Sequence, residues 1–420
     1  MRTAAFLYPW DVVGDPDAPA RLAELGLAQV TLAAAYHSTR ALTPRHPHHR
    51  IVTARHSAVL YPPDPDRWAG RQLRPYPQDW IADPDPFGTA ARALTAAGLE
   101  VHSWVVLAHN SRLGADHPAL VVRNVYGDRY PWAPCIARPE VRDHLVRLAA
   151  EAAVRPGARG VELESCGWYG LAHLHGHDKI GGVGLGGVAE YLMSLCCCPV
   201  CLAGYAELGL GEGELRARVG RALEPVWAGT ALPDAGGRAG EWAAVEELLG
   251  PEPAGAVRAW RDRVAGELRR AVVDAVRDAA ARASVDGFRV LLHADPAPHR
   301  CGANPGVAPA AALACADGVV VPCTGDVAAR AEALRPFAER PAGATVAANL
   351  TVVAGMGGRP DRLAADAAHA ASLGADELRL YHAGLAGPAD LVAVRGALRA
   401  LNRSAGGRAQ GSGAKPAPRA

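Results

Sequence analysis

Residues 157–170 read GARGVELESCGWYG. From Val161 to Glu164 apolar and acidic side chains alternate, which is the period of a β-strand. In a closed parallel barrel one set of side chains packs against surrounding helices and the other points into the interior. On that arrangement Val161 and Leu163 face the helices, and Glu162 and Glu164 point inward. A buried carboxylate is costly to keep, so each glutamate needs a partner or a task. Glu162 lies one layer deeper, where an ion pair with Arg289 or Arg379 is expected. Glu164 ends the strand, on the rim where such barrels carry their chemistry.

Seven more segments with strand character surround this one. They are TAAFLYPW (Thr3–Trp10), QVTLAAAYH (Gln29–His37), VHSWVVLAHN (Val101–Asn110), FRVLLHAD (Phe288–Asp295), GVVVPCTG (Gly318–Gly325), TVAANLTVV (Thr345–Val353) and ELRLYHAG (Glu377–Gly384). Helix-period stretches separate them, among them PEVRDHLVRLAAEAA, which is opened by Pro139. The expected fold is an α/β (β/α)8 TIM barrel. Long loops follow strands two and three, and a helical elaboration follows strand four. Residues 1–402 form one domain in this reading, with 171–253 as the elaboration and 403–420 as a disordered tail. A doubly wound sheet is the competitor. GVGLGG (Gly182–Gly187) lacks the preceding strand and the spacing of a nucleotide-binding turn, so it reads as a loop.

The chain has 420 residues and a formal net charge of +1. That balance gives no reason to expect nucleic acid or an anionic membrane as partner. No run is long enough to span a bilayer, and MRTAAFLYPWD enters a strand without the parts of a signal peptide. The expectation is a cytoplasmic protein, with a homo-oligomer left open. Nine cysteines in a reducing compartment argue for thiols or metal rather than disulfides.

The segment HPALVVRNVYGDRYPWAPCIARPEVRDHLVRLAAEAA, followed by GVELES and LCCCPVCLAGY, resembles the bacterial glycoside-hydrolase-like TIM barrels. The resemblance extends over about Val101 to Tyr205. It implies a carbohydrate-acting hydrolase with a small-molecule carbohydrate substrate and no cofactor required for catalysis. Glu164 takes the position of the strand-four carboxylate. Two departures stand out: Ser165 follows Glu164 where the group has an aromatic or Arg, and TVAANLTVVAGMG lacks the strand-seven glutamate of the large retaining clan.

Glycoside cleavage needs a second carboxyl group. Asp295, ending strand five with His293 one layer below, is the first candidate, and Asp11 the second. Tyr36, His37, His109 and Asn110 end strands two and three and are candidates for sugar contacts. So are Asn349, Arg379 and Tyr381 on inward positions, and Trp168 as a stacking ring, with Trp104, Trp132 and Tyr169 beside it. Cys196, Cys198 and Cys201 form C-x-C-x-x-C, a spacing that holds a structural zinc when Cys135 or Cys166 adds a fourth thiolate. The zinc-carrying beta-galactosidases resemble this arrangement. HLHGHD (His173–Asp178) is a further histidine cluster, read as substrate contacts, solvated surface or metal. Two other functions stay open. One is a barrel lyase or isomerase with Glu164 as base and His293 or His37 as acid. The other is an inactive sugar-binding barrel.

Overall fold

The alternation at Val161–Glu164 is repeated around a closed ring of eight strands. In the computed structural model, which describes residues 1–172, 178–232 and 236–410 (404–410 by backbone only), these are β1 (Arg2–Leu7), β2 (Gln29–Tyr36), β3 (Glu100–Val106), β4 (Ala158–Glu164), β5 (Arg289–His293), β6 (Gly318–Pro322), β7 (Thr345–Thr351) and β8 (Glu377–Tyr381). Each is parallel to the next, and β1 pairs with β8 as well as with β2, so the sheet has no free edge. Val161, Leu163, Val290, Leu292, Leu378 and Leu380 join the large core beneath the helices. Leu291, Val320 and Ala347 form a small apolar cluster of their own. This is the expected (β/α)8 barrel.

The interior is layered by charge. At the N-terminal end Arg289 donates to Glu377 (2.9 Å) and to Thr345 (2.6 Å). In the middle Arg379 Nε donates to Glu162 Oε1 (2.6 Å), and Thr31 Oγ1 donates to the same oxygen (3.0 Å). Arg379 also pairs with Glu377 (2.9 Å). Of the two arginines expected as partners of Glu162, Arg379 is the one that touches it.

The long connections carry more structure than their sequence suggests. The stretch after β2, expected to be irregular to about Pro86, holds an antiparallel hairpin (Thr39–Leu42 with Ile51–Ala54). It also holds a short strand, Ala58–Val59, laid antiparallel on β2, and the helix Pro65–Trp68. Buried Glu151 ties this stretch down, accepting from Tyr61 Oη (3.2 Å), Trp68 Nε1 (2.9 Å) and Asp64 N (2.7 Å). After β3 come the helix Ser111–Asp116 and a second hairpin, Val121–Arg123 with Arg129–Pro134. After β4 the elaboration supplies four helices between Gly187 and Leu249. The crossover helix Pro251–Arg282 then begins at Gly250, whose φ of +86° suits glycine. The elaboration therefore ends at 250 rather than 253. The last helix, Pro388–Gln410, continues past the expected start of a tail at 403, and residues 411–420 lie outside the described ones.

Burial alone would raise the pKa of Glu162. The charge of Arg379 and the His293 ring overcome it and hold the group down at about 2. Its stability contribution is therefore complete above the ordinary value of 4.5 and is lost as pH falls through about 2. Glu162→Gln leaves the buried Arg379 guanidinium with Glu377 alone, which Arg289 also uses, and should cost roughly 3 kcal/mol at neutral pH. The deficit should shrink as pH falls toward about 2. Denaturant unfolding of both proteins at neutral and acid pH reads this directly, and equal stabilities at neutral pH would refute it.

Candidate active site

Glu164 is the last residue of β4, and the chain turns sharply behind it. Ser165 has φ +55°, one of two non-glycine residues with positive φ among those described. A buried serine held in that region is strained, and such strain is found at functional sites. The turn is fixed by Ser165 N donating to Ala303 O (2.8 Å) and Ala108 N donating to Ser165 O (3.1 Å).

Glu164 is buried, with its side chain 10% exposed. Trp104 Nε1, from β3, donates to Oε2 (2.9 Å). His293 Nδ1, from β5, stands 3.9 Å from the same oxygen, while His293 Nε2 is 3.5 Å from Glu162 Oε2. The latter is a charge contact rather than a hydrogen bond, since neither atom has a hydrogen-bond partner. Among the described residues Oε1 of Glu164 has no hydrogen-bond partner. Burial raises the pKa of Glu164, with His293 and the Trp104 hydrogen bond opposing more weakly.

Aromatic rings wall this carboxyl. Phe6 packs against Trp104 (4.7 Å), Tyr381 (5.5 Å) and His293 (5.6 Å). Tyr8 Oη donates to Tyr36 Oη (3.1 Å). Burial, then the Glu164 charge, pushes the Tyr381 phenol up to about 12, and Tyr169 moves in the same direction for the same reasons. From Tyr36 a series of rings crosses the mouth: His37 (4.1 Å), His109 (4.6 Å from His37) and Tyr169 (4.5 Å from His109). Tyr36, His37, His109, His293 and Tyr381, all expected at the site, are thus brought together with Glu164.

Others have structural work. Arg379 is enclosed among carboxylates in the interior and is not a substrate contact. Trp168 donates to Arg261 O (2.9 Å) and lies under the Arg261 guanidinium (4.5 Å), which makes it a packing residue. Asn110 caps the helix Ser111–Asp116 by accepting from Leu113 N (2.9 Å). Asn349 is aligned with Arg379 across β7 and β8, with its Oδ1 buried and unpaired. Asp295 is gripped by Arg238 from the elaboration, through Nε and Nη2 (both 2.9 Å), and accepts from Ala297 N (2.9 Å). No hydrogen bond or ion pair joins it to Glu164 among the described residues. Asp11 accepts from Tyr8 N (2.8 Å) and packs on Gly384, where a Cβ would lie 1.8 Å from its Oδ2. Burial raises it to about 7 against the Tyr8 hydrogen bond and Arg45. His173 to His177 lie outside the described residues. Tyr8 and Arg238 were not singled out from sequence. Tyr8 sits in a TAAFLYPW run that reads as plain strand, and Arg238 is 57 residues from its partner.

The buried sulfurs of Cys135, Cys196, Cys198 and Cys201 all lie within 4.8 Å of one another. From Cys135 the others are 3.6 Å (Cys196), 3.8 Å (Cys198) and 3.7 Å (Cys201) away. These are far beyond the about 2.05 Å of a disulfide. They match the edge, about 3.8 Å, of a tetrahedron of thiolates around an ion at about 2.3 Å. Cys166, the alternative fourth ligand, is not in this group. The cluster joins the hairpin after β3 to the elaboration after β4 and has the form of a closed metal-holding site.

No protein-family model matches the chain, and no curated protein sequence matches it. Solved structures share its fold. It is similar to the glycoside hydrolase domain of PgaB (BpsB) from Bordetella bronchiseptica, at 15% identity and TM-score 0.56, over 96% of this chain and 98% of that one. The catalytic domain of the beta-amylase from Paenibacillus polymyxa matches at 11% identity and TM-score 0.51, over 96% and 98%. Alpha-L-fucosidase isoenzyme 2 from Paenibacillus thiaminolyticus matches at 11% identity and TM-score 0.55, over 97% of this chain but only 50% of the fucosidase chain. The chain thus spans about half the length of that enzyme. At these identities the likeness shows the fold, a barrel of the kind glycoside hydrolases use. No helix among the described residues is long and apolar enough to cross a membrane.

A carboxyl whose pKa is raised by folding opposes folding once pH passes its ordinary value, 4.5 for Glu164. Glu164→Gln should therefore melt higher than the parent at neutral pH, and the gap should widen as pH rises from about 5. Melting curves across pH test this, and a Gln variant that melts lower at every pH would contradict it.

Proposed function

We propose that the chain is a carbohydrate-active hydrolase that cleaves a small glycoside, with Glu164 as general acid. The observation that carries this is the state of one carboxyl at the barrel mouth. Burial shifts its pKa toward the protonated form, Trp104 holds Oε2, and Oε1, without a hydrogen bond among the described residues, is the oxygen open to carry a proton. A general acid of this kind delivers its proton to the departing glycosidic oxygen. The aromatic wall of Tyr36, Tyr169 and Tyr381 supplies ring faces for a sugar. Asp295 is our candidate for the second carboxyl, oriented by Arg238 as base or nucleophile. The nearness of His293 to Glu164 supports a second reading, a lyase or isomerase in which Glu164 takes a proton from the substrate as base and His293 gives one as acid.

Glu164→Gln should lower kcat about a thousandfold on unactivated glycosides, with KM kept. The loss should be much smaller on dinitrophenyl glycosides, whose leaving group needs no proton. A variant with full turnover on both substrate types would end the general-acid assignment. A loss equal on both would move Glu164 to the role of nucleophile.

We also assign zinc to the four cysteines. The ion would be held by Cys135, Cys196, Cys198 and Cys201, a closed set without an open position, so its part is to fix the elaboration against the barrel. Elemental analysis of protein purified without chelator should find about one zinc per chain, and Cys196→Ser should lose it. Less than about a tenth of an equivalent would rule the site out.

A further inference from the structure

A cavity of about 170 Å³ opens between the C-terminal ends of β6 and β7, and none of the roles above uses it. It is far larger than the about 10–15 Å³ that a single water needs. Its floor is Thr351, the last residue of β7, and its walls are Thr324, the turn at Gly357–Gly358, Arg330, Arg359 and Asp366.

The charges in this cavity do not cancel. Arg330, on the helix Val327–Leu334, is almost wholly buried. Its Nη2 pairs with Asp366 Oδ1 (3.0 Å) and its Nη1 with His369 Nδ1 (3.0 Å), and its Nε has no partner. Arg359 is half exposed and reaches Asp366 Oδ2 only at 3.9 Å. One carboxylate thus faces two guanidiniums. A buried donor without an acceptor is costly, and native proteins seldom leave one so.

The turn that walls the cavity requires glycine. Gly357 has φ +78°, which disfavours any side chain there. A Cβ on Gly358 would lie 2.6 Å from Thr351 O and 2.8 Å from Val353. Neither the Thr324 nor the Thr351 hydroxyl has a hydrogen-bond partner among the described residues. Two guanidiniums against one carboxylate, with free hydroxyls around a polar hollow, suit a tetrahedral oxyanion.

We infer that the cavity between β6 and β7 binds a phosphate-type oxyanion, gripped by Arg330 and Arg359 over the glycine turn. Two sources share that chemistry: free orthophosphate and the phosphate of a phosphorylated sugar. The inference deepens the proposed function only in the second case. Binding is read without turnover, so it stands or falls apart from the role of Glu164.

The test is calorimetric titration of the full chain with orthophosphate and, separately, with glucose 6-phosphate, each with thermal melting. We expect saturable one-to-one binding and a rise in Tm with ligand. Arg359→Ala, at a half-exposed position, should weaken binding at least tenfold and leave the ligand-free Tm unchanged. Arg330→Lys should weaken it further. Glu164→Gln should bind like the parent. A sugar phosphate bound at least tenfold more tightly than orthophosphate assigns the site to the substrate, and equal binding assigns it to the free anion. The proposal is overturned if neither ligand binds saturably, or if Arg359→Ala binds as well as the parent.

Discussion

In the middle of the barrel a guanidinium and a carboxylate meet at 2.6 Å with no solvent between or around them. Arg379 and Glu162 come from strands on different sides of the ring, β8 and β4, so the contact exists only when the sheet has closed. Two buried charges brought together in this way add less net stability than their attraction suggests, because both were better solvated in water. What they impose is geometry. A one-residue slip of β4 would turn Glu162 and Glu164 into the apolar layer under the helices and bring Val161 and Leu163 inside, depriving Arg379 of one of its two carboxylates. Thr31 from β2 donates to Glu162 and Glu377 from β8 adds an ion pair to Arg379, so the two members are held from several directions.

That constraint was legible in residues 157–170 because a strand's two faces are written in alternate letters. The same alternation located all eight strands and the inward direction of His293, Arg379 and Tyr381. It could not tell which inward polar residue meets substrate and which meets protein. Arg379 and Tyr381 are two residues apart on one face, yet one is sealed among carboxylates and the other lines the mouth. Depth along the barrel axis separates them, and depth depends on where the pairing register starts rather than on local pattern. The loops were opaque for another reason. The hairpins after β2 and β3 are held by distant groups, such as Glu151 beneath Tyr61 and Trp68, and contacts of that range leave no period in the sequence. Arg238 closing on Asp295 from within the elaboration is the same case.

The elaboration bears on the site through two attachments. Arg238 fixes the side chain of Asp295, and at the cysteine cluster the base of the elaboration meets the hairpin after β3. Cys196, Cys198 and Cys201 come from one short segment, while Cys135 comes from the end of that hairpin. Four sulfurs within 4.8 Å therefore bring two loops of the same rim together. Tyr169 and the turn at Ser165 lie between these attachments in sequence, and a rim that is held on both sides can keep a strained turn in place.

The contrast between the two glutamates follows from how the positive charge is allotted. Arg289 and Arg379 face Glu162 and Glu377, two charges against two, and the inner layers are neutral as a set. Glu164, one layer higher, therefore meets no guanidinium. What reaches it is burial, the His293 ring and one indole N–H, and burial is the strongest of the three. The same residue type on the same strand is thus driven down at one position and up at the next inward one.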